Sequence, residues 1–271
     1  MKNTLRLIPK NIRMKIIEMA YKGQSSHIAC SFSIVEIMTT LYKYFLHYPN
    51  NNLNDYKRDY LILSKGHGVM CQYACLNELG WISNKQIENY FSDGSELKGL
   101  SDSRIYGLEV TSGSLGHGLS VGVGLAMAAK INNSDQRTYI IVGDGEINEG
   151  SIWEGLLFAS HHELKNLFVI VDNNKLQAMG STEKVLDLRN IQDKFISFGF
   201  DTVTIDGHLE EEIKNCIDNF NNKTNLKPKA IIANTIKGKG VDFMENNNDW
   251  HYKRLNKDDY HKARNFICDI L

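Results

Sequence analysis

No stretch of this chain approaches the roughly 20 consecutive apolar residues that a membrane-spanning helix requires. The opening residues, MKNTLRLIPKNIRMKII, alternate charge with apolar side chains and lack the hydrophobic core and cleavage site of a secretory signal. These two absences predict a soluble, cytoplasmic protein with no membrane partner. Net charge is missing too: 31 Lys and Arg stand against 32 Asp and Glu, leaving −1. Such a balance offers no general electrostatic footprint for nucleic acid. Cysteine is sparse and odd in number, at Cys30, Cys71, Cys75, Cys216 and Cys268. Cys71 and Cys75 are spaced to share a helix face, but two isolated thiols make no zinc site, so buried free thiols are expected. Nucleotide fingerprints are absent: neither GxxxxGKS nor GxxxxGKT occurs, and GDGEIN does not fit GxGxxG. There is no internal repeat and no linker-like shift in composition.

What is present is an alternation of strand and helix patterns over 271 residues, 42% of them hydrophobic. Short apolar runs at Asp59–Leu63, Tyr139–Val142, Phe168–Val171, Thr202–Ile205 and Lys229–Asn234 read as strands. Helical spacing marks Pro9–Tyr21, Ile34–Tyr48 (stopped by Pro49), Val69–Leu79, Asn84–Phe91, Leu119–Ile131, Ser151–Glu163, Leu209–Phe220 and Asp258–Ile270, and Glu183–Phe198 more weakly. The stretch GQSSHIACS reads as a polar turn. The pattern predicts one α/β domain over residues 1–271, with a doubly wound, mostly parallel sheet flanked by helices.

Polar, glycine-bearing turns follow the strands or lie in loops able to reach them: SKGHG, GDG, DNNKLQ and KGKG with NDWH. TSGSLGHG, at a helix start, is a fifth. In an open parallel sheet, ligands collect at the carboxyl ends of strands. A right-handed crossover from Tyr139–Val142 to Phe168–Val171 puts Asp144 beside Asn174. Two hard oxygen donors and a glycine permitting close approach suit a metal-bound diphosphate. Magnesium favours such oxygen ligands, and the Leu176 carbonyl is a third candidate.

GDGEINEG followed by DNN, with thirty positions from Asp144 to Asn174, resembles the GDG…NN signature of thiamine-diphosphate enzymes. SKGHG, EVTSGSLGHGLSVGVGLAMA and KGKGVDFMENNNDWH resemble the N-terminal half of transketolase, over about Ser25 to Tyr252. More narrowly, the chain is similar to the separate N-terminal subunit of split transketolases. The resemblance implies thiamine diphosphate and Mg²⁺ as cofactors, with Asp144, Asn174 and the Leu176 carbonyl on the metal. It implies diphosphate contacts from backbone groups of Gly145 and Glu146 and from His67 and His251, with Gly143 in the same cofactor-binding set. Gly113 and Leu115 would line the aminopyrimidine. His27, His67 and His251 form the implied catalytic set, His27 and His67 facing the sugar's reacting carbons. Glu149 and Glu154 match acids near the family's dimer interface, while His47, His161, His162, His208 and His261 match nothing and read as surface or structural.

The family also needs a glutamate against the pyrimidine ring, contributed by a second domain that this chain does not contain. The resemblance therefore implies a separate C-terminal, pyrimidine-binding subunit within a dimer of heterodimers, and transfer of a two-carbon unit from a ketose donor to an aldehyde. Several positions depart from the family pattern. Leu100 replaces a histidine that contacts the donor, Ala178 replaces an isoleucine, His117 stands where glutamine is common, and Tyr252 where glycine is typical. A modified sugar donor is therefore expected. Two other readings stay open: a related thiamine enzyme that decarboxylates a 2-oxo acid, and a non-catalytic protein serving assembly or regulation.

Overall fold

A computed structural model describes residues 6–270. Helix α1 (Pro9–Lys22) starts at Pro9, whose fixed φ and missing N–H suit a first helical position. It is followed by α2 (Ile28–Phe32), α3 (Val35–Thr40), β1 (Tyr60–Leu63), α4 (Val69–Glu78), α5 (Asn84–Glu88) and α6 (His117–Ile131). Then come β2 (Thr138–Gly143), α7 (Gly150–His161), β3 (Leu167–Asn173), a small antiparallel hairpin of β4 (Leu176–Gln177) and β5 (Gly180–Ser181), α8 (Thr182–Leu186) and α9 (Ile191–Ser197). The chain continues through β6 (Asp201–Asp206), α10 (Glu210–Asn221), β7 (Lys229–Asn234) and α11 (Lys257–Ile270).

Five strands form one sheet in the order β1-β2-β3-β7-β6, and all four pairings are parallel. Strand periodicity divides its side chains between two cores. Leu61, Tyr139, Ile141, Phe168, Ile170 and Ile231 join the core beneath α1, α3, α4, α10 and α11. Ile62, Ile140, Val142, Val169, Val171 and Ile232 join the core beneath α6, α7 and α9. Burial on both faces explains why β2 and β3 read as unbroken apolar runs.

The segment after α1 differs from the sequence expectation. Part of the expected polar turn GQSSHIACS is helical, because Ile28–Phe32 is fully buried and enters its turn through His27 at φ 67°. The expected long helix from Ile34 is α3 followed by a π-type turn, in which the Leu46 N–H donates to Leu41 O at 2.9 Å. It ends at Phe45, where Leu46 turns extended at ψ 117°, ahead of the extended Tyr48 that precedes Pro49. The weak helical pattern at Glu183–Phe198 resolves into α8 and α9, capped by the side chains of Ser181 and Asn190.

A buried ionic cluster ties α1, α3 and the loop after β6 together. Arg13 is bidentate to Glu36 at 2.6 and 3.0 Å, and His208 Nδ1 lies 2.9 Å from the same carboxylate. His208 Nε2 accepts from Ile236 N–H at 2.8 Å, so the proton on Nδ1 points to Glu36. Among the described residues no helix is long and apolar enough to cross a membrane.

Candidate active site

The loops leaving β1, β2, β3 and β7 converge at the carboxyl edge of the sheet, joined by the turn before α2 and the loop before α6. They enclose a cavity of about 760 Å³. His27, His67, Gly113, Leu115, Gly143, Asp144, Gly145, Glu146, Asn174, Leu176 and His251 all line it. The geometry depends on close backbone approach. A Cβ on Gly145 would sit 2.7 Å from Gln177 Cβ, and one on Gly118 would sit 2.8 Å from the Ser64 backbone.

One wall is an oxygen-donor surface. Asp144 is buried and accepts hydrogen bonds from the Gly145 N–H at 2.7 Å and from the Lys175 N–H. Burial, then the neighbouring Asp172 charge, pushes its carboxyl up to about 7. Among the described residues no salt bridge reaches it. Asn174 Nδ2 donates to Asp172 Oδ2 at 2.9 Å, while its Oδ1 accepts from the Leu176 N–H at 3.1 Å. That network assigns the amide orientation and turns the oxygen away from Asp172.

Asp172 differs from Asp144 in being fully compensated. It pairs with Lys65 and accepts from Ser33 Oγ at 2.7 Å and from Thr235 Oγ1. Burial works to raise its pKa, but the Lys65 charge and these hydrogen bonds hold the carboxyl below its ordinary range. The site thus presents one buried carboxylate with no cationic partner beside an immobilised amide oxygen. A hard divalent cation fits that donor set.

The same cavity carries three imidazoles. Ring centroids of His27, His67 and His251 lie 5.2 to 5.5 Å apart. Burial lowers the pKa of all three, reinforced by the Lys65 and Lys237 charges, and brings His251 to about 3. They are therefore neutral at physiological pH. Lys237 Nζ lies 2.8 Å from His251 Nδ1 and 3.1 Å from Asn248 Oδ1. An ammonium only donates, so Nδ1 accepts and Nε2 carries the proton. The backbone N–H of His27 donates to the His251 carbonyl at 3.0 Å, tying the two turns together. Lys65 lines the cavity beside these imidazoles and Lys237 lies behind His251, so their positive charges favour an anion there.

Glu146 has a role that the motif did not reveal. Its buried carboxylate accepts from Ser64 Oγ at 2.5 Å and from the N–H groups of Gly116 and Gly143 at 2.8 and 3.1 Å. It holds together the turns after β1 and β2 and the start of α6. Asp172, Lys65, Lys237 and Ser64 were likewise not singled out from sequence. The signal for Asp172 is an acid ending an otherwise apolar strand, FVIVDNN; the lysines look like ordinary turn residues. Leu100, Ala178, Glu149 and Tyr252 line the cavity, whereas Glu154 and His117 are not among its lining residues. Leu100 Cδ1 reaches to 3.0 Å from the Cβ position of Gly113. Its exposure is 41%, and Met179, Leu186 and Tyr252 are more exposed still, so the rim is apolar. Cys30, Cys71, Cys75 and Cys216 are free and buried, and Cys268 is exposed.

The family described as "Transketolase, thiamine diphosphate binding domain" matches residues 5–268. A Phocaeicola vulgatus protein, named as one subunit of an apulose-4-phosphate transketolase, is 38% identical over 260 residues, covering 96% of this chain and 92% of its own length. A Clostridium protein named 6-deoxy-6-sulfo-D-fructose transketolase subunit is 35% identical, with coverages of 91% and 90%. The structure of Campylobacter jejuni transketolase superposes with a TM-score of 0.89 at 28% identity, covering 98% of this chain and 43% of that one. The chain thus has the length of the named subunits and about two fifths that of a full transketolase. It belongs to the transketolase family, as a member matching that family's thiamine-diphosphate-binding domain.

Proposed function

We propose that this chain is the N-terminal, cofactor-binding subunit of a two-subunit transketolase-like transferase acting in the cytoplasm. In this reading residues 1–271 form a single domain, which works with a pyrimidine-binding subunit in a dimer of heterodimers. The observation that carries it is the pairing, across one cavity, of the uncompensated Asp144 carboxylate with three neutral imidazoles.

Asp144, Asn174 Oδ1 and the Leu176 carbonyl hold Mg²⁺. His67 and His251, the latter through its Nε2–H, would bind the diphosphate, with the Lys65 and Lys237 charges behind them favouring an anion. Gly113 and Leu115 support the aminopyrimidine, and Gly143, Gly145 and Glu146 keep the turn beneath the diphosphate in place. Thiamine diphosphate supplies, when bound, the electron sink for the carbon–carbon bond that breaks. His27 and His67, uncharged and within the cavity, hydrogen-bond the donor's hydroxyls and move protons at those oxygens. The substrate is a ketose other than the standard phosphates, as the relatives named for apulose 4-phosphate and 6-deoxy-6-sulfo-D-fructose suggest. Leu100 and Ala178 support this, since an apolar group where a donor hydroxyl would be bonded weakens that contact by about 1–3 kcal/mol.

The test combines calorimetry with an activity assay. Thiamine diphosphate is expected to bind only with Mg²⁺ present, and two-carbon transfer to appear only when the partner subunit is added. Robust turnover by the chain alone, or no cofactor binding with or without the partner, overturns the reading. Ordinary efficiency with xylulose 5-phosphate and ribose 5-phosphate overturns the donor assignment. Release of CO₂ from a 2-oxo acid would favour the decarboxylating alternative.

A further inference from the structure

Cys30 plays no part in the function proposed above, yet it lines the same cavity. Its Sγ lies 3.8 Å from His251 Nδ1. One donor atom each from Cys30, His67 and His251 lie within 4.8 Å of one another. Tetrahedral zinc, with Zn–S near 2.3 Å and Zn–N near 2.0–2.1 Å, separates sulfur from nitrogen by about 3.5 Å. The sulfur–His251 spacing is already close to that value, and the remaining pairs, within 4.8 Å, need to close by up to about 1.5 Å. Among the described residues, neither ring nitrogen of His67 has a hydrogen-bond partner, so that ring is available without breaking a contact.

Chemistry separates this trio from the Asp144 wall. Thiolate and imidazole select zinc-like ions, whereas carboxylate, amide and carbonyl oxygens select magnesium. The cavity therefore carries two donor sets of opposite softness. Three protein ligands with a fourth position left to solvent is an ordinary count for an open zinc site.

We propose that Cys30, His67 and His251 bind a zinc ion in the cofactor-free chain, and that this ion and the diphosphate cofactor exclude each other. Binding breaks the Cys30 S–H bond, forms a Zn–S bond and releases the proton to solvent; the two neutral imidazoles each donate a lone pair. Lys237 must leave His251 Nδ1, and Asn248 Oδ1 at 3.1 Å and Leu176 O at 3.4 Å are ready to receive its ammonium. The Lys65 and Lys237 charges oppose the incoming ion, while the new thiolate and the Asp144 carboxylate offset them. The exclusion rests on the cofactor reading, because both ligands need the same two imidazoles. The zinc site itself does not.

Cobalt(II) provides the probe. The full chain, stripped with chelator, is titrated with Co²⁺ while near-ultraviolet thiolate-to-cobalt charge transfer is followed. A band saturating at one ion per chain, bleached by stoichiometric Zn²⁺ and absent in Cys30→Ser, is expected, with circular dichroism confirming that the variant folds. Asp144→Asn is expected to keep the band while losing Mg²⁺-dependent binding of thiamine diphosphate. Prior saturation with thiamine diphosphate and Mg²⁺ should raise the Co²⁺ needed for half-saturation at least tenfold. No charge-transfer band in the unaltered chain, or one that survives Cys30→Ser, overturns the site. A band indifferent to bound cofactor overturns the exclusion, and a chain that shows the band but never binds thiamine diphosphate refutes the proposed function instead.

Discussion

Asp144 and Asp172 are neighbouring buried carboxylates in opposite electrostatic situations. Asp172 has a lysine and two hydroxyls, whereas Asp144 has only backbone donors. Removing the partner of a buried charge is costly, so Lys65→Met should destabilise the chain by about 3–5 kcal/mol in urea titration. Asp144→Ala should instead leave the cofactor-free chain at least as stable, while weakening Mg²⁺-dependent cofactor binding on the order of 100-fold by calorimetry. Glu36 gives a pH dependence. Burial acts to raise its pKa, but His208 and Arg13 outweigh that and hold it at about 2, against 4.5 when free. A depressed carboxyl contributes stability above its unfolded pKa and loses it as pH falls toward the folded one. Unfolding free energy should thus drop by about 3 kcal/mol between pH 5 and pH 2 on this account, and Glu36→Gln should flatten that part of the curve.

At the scale of elements, α6 is held to the site by its missing side chains. A methyl on Gly118 meets Ser64 side chain and backbone at 2.6 to 2.8 Å, and Ser64 is bonded to Glu146. Alanine gains about 1 kcal/mol in helix propensity, but overpacking against backbone costs about 1–3 kcal/mol. Gly118→Ala should therefore lower the melting temperature and weaken cofactor binding, whereas Gly124→Ala, with open space around it, should raise the melting temperature. The strands were legible because a parallel sheet buried on both faces leaves unbroken apolar runs, and Asp144 and Asn174 because glycine and turn chemistry mark the ends of β2 and β3. The helix at 28–32 was not legible, nor was the π-type end of the helix expected from Ile34: Ser31, Thr39 and Thr40 look solvent-facing in sequence but are buried, and a π-type turn has no local signature. Lys237 was hidden for a similar reason, since nothing in KGKG distinguishes a solvated lysine from one bonded to an imidazole.

Seen whole, the molecule exposes Leu100, Met179, Leu186 and Tyr252 around the mouth of its most chemically loaded cavity. In the proposed assembly the partner subunit covers this rim. Burying one such side chain is worth about 1.5–3 kcal/mol, so Met179→Ser with Leu186→Ser should weaken partner association at least tenfold by calorimetry, with the melting temperature of the isolated chain unchanged. The order of strands also governs how the site is assembled in time. Tyr60 of β1 is paired with Thr138, and Phe168 of β3 with Lys229, so these two pairings wait for distant chain to be made. The β2–α7–β3 and β6–α10–β7 units are the local pieces, and the first, with the turns that leave its strands, carries both Asp144 and Asn174. During synthesis the oxygen-donor wall can take shape while Lys237 and His251 are still untranslated. Closing long loops is slow because their entropy is lost before any contact compensates for it. The imidazole wall is drawn from three turns far apart in sequence, so it can close only after the last of them, with His251, has been synthesised.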